Sequence, residues 1–446
     1  MQDPENKRKR MNRALSAGEH LLWLIDRAVP QNFVMAARLS PQPGNLIDLP
    51  SLLRQALDIL RQRYPSLNCR IKKGKTPGFI TDNIPKIPLR IIRRKSADHW
   101  IEESEKEMLK PLPWTKGPMV RFVLMESPNQ WDLLLTFCHL TTDATSGVKF
   151  LKHLLTITDR LSAGEIPTME PSLPGLPPVD DLIKEEVIQR ARALATKEST
   201  NEQSLTPVDL QGDQEVPMEQ RKTRIIPKQL NKAELKKLMI KARKEKATVH
   251  SAFCAALMQT MVEQIRLKQQ VPREGPLLMG CISAVNIRNL FKQPPGDNLG
   301  NFISNALHYQ LIDDGTSLWE AARETKKALQ EHLDAGQDIN MRLAAGSLLK
   351  PNETPIELLT RLKDLFPPTG VTNMGQLDIP DRFGNLLLEN LHYNPSINPA
   401  IKNGFGLSVS AFGNQTTLNF LYAEPYISKE RANQMVESAM RRLKNV

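Results

Sequence analysis

Cysteine is scarce and scattered in this chain. The four thiols, Cys69, Cys138, Cys254 and Cys281, form no CxxC pair. Neither a disulfide framework nor a zinc site is expected from that spacing, and a reducing, cytoplasmic setting fits. Long hydrophobic runs are missing too. No stretch approaches the roughly 18–20 apolar residues that cross a bilayer, so no membrane span is expected. Met1–Arg13 is charged and polar with no apolar run behind it, which argues against a secretory leader. Aromatic residues make up only 5% and do not interleave with the basic residues, so no base-stacking platform for single strands is indicated. The Walker A loop, GxGxxG after a strand, HExxH and GxSxG are all absent.

What is present is a globular composition, 40% hydrophobic and 24% charged over 446 residues. That length exceeds one ordinary core and suits two domains or a large composite one. The formal net charge is +11, but it is concentrated. Between Arg221 and His250, eleven basic residues face only Glu234 and Glu245, a local +9. Two readings are open: a solvated helix face, or a landing site for a phosphorylated or acidic partner. A nucleic-acid partner is not expected.

Patterning predicts mixed α and β structure. Ser16 and Glu19 have capping-box spacing before an apolar helix face, as do Asn231 with Glu234 and Ser317 with Glu320. Strands are expected at Asn32–Leu39, Val120–Glu126, Trp131–His139 and Pro276–Val285, with a hairpin over Gly406–Leu421 turning at Gly413-Asn414. Helices are expected at Leu49–Tyr64, Gly147–Leu161, Thr248–Ile265, Ser317–Ala335 and Ser428–Leu443. From Ser162 to about Met218 the chain is rich in proline, then in Gln, Glu and Ser, and reads as a crossing segment with a short helix around Asp181–Thr196. The expected division is an N-terminal unit of residues 1–170, a linker of 171–220 and a C-terminal unit of 221–446.

One segment carries candidate chemistry: Phe137-Cys138-His139-Leu140-Thr141-Thr142-Asp143-Ala144-Thr145-Ser146-Gly147. Of the eight histidines only His139 has an aspartate four positions on, and it sits where a strand ends and a helix begins. On spacing alone, His139 and Asp143 fit either a catalytic pair or a satisfied core histidine beside a helix-capping carboxylate.

This segment resembles the His-His-x-x-x-Asp-Gly signature of the acyltransferase superfamily that includes chloramphenicol acetyltransferase, peptide-synthetase condensation domains, alcohol acetyltransferases and mycobacterial polyketide-associated acyltransferases. His139 matches the second histidine, Asp143 the aspartate and Ser146 the following serine; Cys138 replaces the first histidine and Ala144 the glycine. Further stretches match in order: Leu15-Ser16-x-x-Glu19, Ala56-Leu57 through Arg63-Tyr64-Pro65, Val285-Asn286-Ile287-Arg288, Leu299-Gly300-Asn301, and Thr372-Asn373-Met374-Gly375.

The resemblance implies an α+β fold of two similar chloramphenicol acetyltransferase-like halves. Each is a mixed sheet packed by helices, with the active-site tunnel between them. It implies His139 as general base, Asp143 paired with an arginine (Arg288 is the candidate), Cys138 and Ser146 in support, and Asn301 and Asn373 at the substrate. Apart from the resemblance, the expected helix start near Ser146–Gly147 offers free backbone N–H groups as candidate donors to an oxyanion. No metal or cofactor is expected. The donor would be acyl-CoA or an acyl carrier protein's phosphopantetheine thioester, the acceptor a small alcohol or amine, and the protein a monomer. The rival is a catalytically weak relative that binds or recruits carrier proteins.

Overall fold

The computed structural model describes residues 11–45, 47–165, 167, 171–198, 208–268, 275–397 and 404–445. The charged opening before residue 11 and the Gln-, Glu- and Ser-rich run at 199–207 lie outside them. Two six-stranded mixed sheets dominate. The first has the order β12 (Arg382–Phe383), β13 (Leu386–Pro395), β2 (Asn32–Pro41), β7 (Gln130–Cys138), β6 (Val120–Ser127), β5 (Leu89–Arg93). Its pairs are antiparallel except β5 with β6. The second runs β10 (Ile303–Ile312), β9 (Leu277–Asn286), β11 (Thr369–Gln376), β14 (Phe405–Phe412), β15 (Gln415–Glu424), β8 (Lys222–Asn231). Here β11 lies parallel to both neighbours. Short β1 (Arg13–Ala14), β4 (Gly78–Ile80) and β3 (Arg70–Lys72) form a small third sheet.

Alternation along β7 explains the layers. Leu133, Leu135 and Phe137 point to one face, into a core closed by helices Leu49–Arg63 and Ala144–Ser162. Leu134 and Cys138 point to the other. There Leu134 meets Trp100 and Met108 of helix His99–Leu109, and Cys138 joins a small cluster with Trp23, Cys69 and Phe79. In the second sheet one face packs on helices Val249–Leu267, Leu318–Asp334 and Lys429–Lys444. Among the described residues, no helix is long and apolar enough to cross a membrane.

The expected elements fall close to the observed ones, with three instructive differences. The helix expected around Asp181–Thr196 is two pieces, Val179–Leu182 and Glu185–Glu198. Together they pack Val179, Ile183, Val187 and Ala191 against Ile287, Phe291 and Phe302. The capping boxes at Ser16 and Asn231 are complete, whereas Ser317 only accepts from the Glu320 N–H. The β6–β7 turn is tighter than expected, because Ser127 and Gln130 themselves pair.

The chain also crosses between sheets. Residues 382–395, within the expected C-terminal unit, are β12 and β13 of the first sheet, where β13 pairs with β2. Ser408 Oγ in the second sheet donates to Tyr393 O (2.6 Å), and Asn419 Nδ2 donates to the same carbonyl (3.3 Å). A second tie is Glu105 on helix His99–Leu109, which accepts from Ile225 N (2.9 Å) and Arg224 Nη1 (2.7 Å) in β8. Glu105→Ala removes a charge-assisted bond and orphans a buried N–H, so it should lower stability by about 1–3 kcal/mol in urea unfolding. Glu105→Gln can still accept from Ile225 N and should cost less; equal losses would mean that the tie is not made through these bonds.

Candidate active site

β7 ends at Cys138, and the strand's alternation sends Cys138 and His139 to opposite sides. The Cys138 side chain enters the apolar cluster beneath the loop, where burial pushes its thiol well up. His139 turns the other way, its ring 4.7 Å from that of Phe33 and its Nε2 3.5 Å from the Tyr393 hydroxyl.

The loop is fixed from the second half. Asp143 caps helix Ala144–Ser162 by accepting from Ser146 N through Oδ1 (2.8 Å). The same oxygen accepts from Arg288 Nη2 at 2.8 Å, and Oδ2 accepts from Phe302 N at 2.9 Å. Asp143 is fully buried and Arg288 is 16% exposed in its side chain. The guanidinium lies over the Phe302 ring, 4.7 Å from its centroid. Ser146 Oγ donates to Gly300 O (3.0 Å) and accepts from Gly300 N (3.2 Å) and Arg288 Nη2 (2.9 Å), so the hydroxyl is fully used. A Cβ on Gly300 would lie 2.3 Å from the Phe302 ring, which explains a glycine there. Asn301 Nδ2 donates to His139 O at 2.6 Å.

Thus the structure brings His139, Asp143, Ser146, Arg288 and Asn301 together. Asn373 stands apart: its side chain accepts from Gly375 N (2.9 Å), while the neighbouring Thr372 lines the cavity. The N–H groups expected to be free at this helix start are occupied, since Ser146 N bonds Asp143 Oδ1 and Gly147 N bonds Asp143 O. The helix starts at Ala144, three residues earlier than expected, and its aspartate cap takes them.

A cavity of about 270 Å³ opens on His139, walled by Gly18, Leu22 and Gln31 from one half and by Ala284, Asn301, Thr372 and Tyr393 among others from the rest of the chain. A second cavity of about 260 Å³ shares Leu22, Gln31, Ala284, Asn305, Thr372 and Pro395 with it and extends to Gly404–Leu407. The two adjoin along these shared residues, and together they make up the passage beside His139. Sequence reading missed Tyr393 and Arg342; the latter bonds Asp180 (3.1 Å) and Ile303 O (2.9 Å) at the cavity wall. No residue of the basic stretch Arg221–Lys246 lines these cavities. Several of its charges are paired, Arg224 with Glu105 and Glu424, Lys228 with Glu437, and Lys241 with Glu245.

Burial holds the His139 imidazole down to about 4, against an opposing pull from the Asp143 carboxylate. Burial likewise pushes the Tyr393 phenol up, so both groups are neutral at pH 7.

The condensation-domain profile matches residues 44–271, just over half of the chain. The chain belongs to the condensation-domain family. Residues 219–415 also match the C-terminal family of phthiocerol/phthiodiolone dimycocerosyl transferases. One polypeptide of the linear gramicidin synthase of Brevibacillus parabrevis is 28% identical over 163 residues, 35% of this chain, which spans about 2% of that protein's length. Among solved structures, polyketide synthase associated protein 5 of Mycobacterium tuberculosis is 16% identical with TM-score 0.65, over 97% of this chain and 98% of that one. Trichothecene 15-O-acetyltransferase of Fusarium sporotrichioides is 13% identical with TM-score 0.67, over 97% and 95%. The starter condensation domain of rhizomide synthetase with C8-CoA is 17% identical with TM-score 0.68, over 98% and 94%. These likenesses establish the condensation-domain fold, with its two similar halves.

The geometry makes the Asp143–Arg288 pair testable. Arg288→Met should cost about 3–5 kcal/mol, because it leaves a buried carboxylate without its counter-charge, and Asp143→Asn should cost a similar amount. The double variant should recover part of the sum in urea unfolding; strictly additive losses would show that the two side chains are not coupled.

Proposed function

We propose that this condensation-family protein transfers an acyl group from a thioester donor to a hydroxyl or amine acceptor, with His139 as general base. The observation that carries the reading is a neutral imidazole facing a passage between the halves, on a loop whose His139 carbonyl accepts from Asn301 Nδ2. The donor is acyl-CoA or an acyl chain on a carrier protein's phosphopantetheine arm. The relative solved with C8-CoA and the polyketide- and peptide-synthase relatives support that class. The acceptor is a small alcohol or amine.

In the tautomer that carries the ring proton on the buried Nδ1, His139 would offer Nε2 as acceptor. An acceptor hydroxyl or amine entering the passage takes the place beside Nε2 where the Tyr393 hydroxyl now makes only a long contact. As its oxygen or nitrogen attacks the thioester carbonyl, its proton passes to Nε2. Collapse of the tetrahedral intermediate expels the thiolate, which takes the proton from the imidazolium. Asp143 takes no part in proton transfer; it is neutralised by Arg288 and fixes the loop. The Tyr393 hydroxyl, Gln31, Asn305 and Thr372 are among the polar groups of the cavity wall that could orient the acceptor, whereas the Asn301 amide is engaged with the His139 carbonyl and the Ile303 N–H. Replacement of the first motif histidine by Cys138 removes nothing from the passage, since that side chain faces the opposite way.

His139→Ala should leave the fold intact and lower turnover by roughly a hundredfold or more in an acyl-CoA panel assay of thioester consumption. Near-parental turnover would sink the assignment. The pH profile is a second check. The base works when neutral, so kcat/KM should stay level from about pH 5.5 to 8 and fall only on approach to about 4. An inflection near the ordinary imidazole value of about 6.5 would mean that His139 is solvated during the reaction.

A further inference from the structure

Four side chains that sequence spacing left unconnected meet behind the second sheet. His250 and Cys254 lie four residues apart on helix Val249–Leu267 and so share one helix face. Cys281 in β9 and His308 in β10 are directly opposite in the antiparallel register, and so point to the same face of the sheet. That face meets the helix, in the same core cluster as Cys254 and Cys281.

The donor atoms of Cys254, Cys281 and His308 all lie within 4.8 Å of one another, and all three residues are buried. His250 Nε2 lies 3.5 Å from Cys254 Sγ and 2.8 Å from Ser283 Oγ. His308 is the telling residue. It is 3% exposed, and neither ring nitrogen has a hydrogen-bond partner. Buried imidazole nitrogens without partners are costly, and a neighbouring pair of thiols does little to satisfy them.

We propose that Cys254, Cys281, His308 and His250 form a structural zinc site that pins helix Val249–Leu267 to β9 and β10. Two thiolates and two imidazoles are the ligand set of closed, tetrahedral Zn²⁺ sites. Zn–S of about 2.3 Å and Zn–N of about 2.0–2.1 Å imply tetrahedral ligand-to-ligand edges of about 3.3–3.8 Å, with the mixed S–N edge near about 3.5 Å. The His250–Cys254 separation already has that value, and Cys254, Cys281 and His308, whose donors lie within 4.8 Å of one another, need to draw in by about 1 Å. His250 lies outside that group of three and would turn its Nε2 from Ser283 Oγ to the ion. Binding converts two thiols to thiolates and releases two protons to solvent. The charges of the ion and of the two thiolates then cancel, which suits an apolar surrounding. The opposite face of the same strands carries Ala284 and Asn305 of the cavity wall, so the ion would stiffen the strands that flank Arg288 and Asn301 without touching substrate.

The test uses the full chain, purified with a non-chelating reductant, stripped with a chelator, and given zinc alone. One zinc per chain should survive gel filtration by elemental analysis, and Tm should rise. Cobalt in place of zinc should give thiolate charge-transfer bands with tetrahedral d–d bands. Cys281→Ser and His308→Gln should reduce retained zinc to background, while Cys69→Ser should keep it. If those variants do not fold, the parent chain decides alone. No retained zinc with an unmoved Tm overturns the site, as does a cobalt spectrum lacking thiolate bands. Stoichiometric zinc kept by Cys254→Ala with Cys281→Ala overturns it too, as does a Cys254–Cys281 disulfide in metal-free protein handled under reductant.

Discussion

One buried carboxylate holds the site together. Asp143 receives the N–H of its own helix, the Arg288 guanidinium beyond β9 and the Phe302 N–H before β10. A carboxylate at zero exposure is tolerable only when its charge is balanced and its lone pairs are filled, and three donors with one cation meet that demand. Because Arg288 is 145 residues away in sequence, the price of satisfying Asp143 is that the two halves meet at the loop carrying His139. Gly300, Asn301 and Phe302 then follow as one strip. Gly300 bonds Ser146, Asn301 bonds the His139 carbonyl, and Phe302 supports the arginine. The passage has fixed walls beside the histidine because this strip cannot slide without baring a charge.

That arrangement explains what could be read from the chain and what could not. The His139–Asp143 spacing was legible because a strand end, a cap and a helix start are local events. The fit of Arg288 rested on a resemblance, since nothing local joins it to Asp143. Tyr393 was invisible for a different reason. It lies in β13, whose apolar pattern shows a strand but not which sheet it will join, and the crossing into the first sheet puts it at Nε2. The helix N–H groups near Ser146–Gly147 are not free because the helix begins at Ala144, and Asp143, which spacing offered as a helix cap and the resemblance as an arginine's partner, performs both roles. The basic stretch was legible as charge and not as place. It divides into β8 and an outer helix, and three of its side chains, Arg224, Lys228 and Lys241, pair with carboxylates.

The Cys and His residues of the second half show the same limit more sharply. Motif reading looks for ligands two to four residues apart, and here only His250 and Cys254 are that close. The other two are joined by strand register, and one residue of slip would turn Cys281 or His308 to the opposite face.

A tension remains inside the proposed chemistry, and the same burial resolves it. General bases work best when their pKa lies near the working pH, yet burial holds His139 at about 4. That value belongs to the free protein, where the pull of the Asp143 carboxylate, itself paired with Arg288, is outweighed by burial. When a nucleophile adds to the thioester carbonyl, an oxyanion forms within a few ångströms of the ring. In a walled passage that charge is poorly screened, so it favours the imidazolium far more than it would in water. The base therefore strengthens as the reaction needs it and weakens again when the intermediate collapses, returning its proton to the departing thiolate. A histidine kept neutral by burial is thus poorly protonated at rest and well protonated opposite the intermediate, and stabilisation confined to the charged intermediate raises turnover and not merely binding.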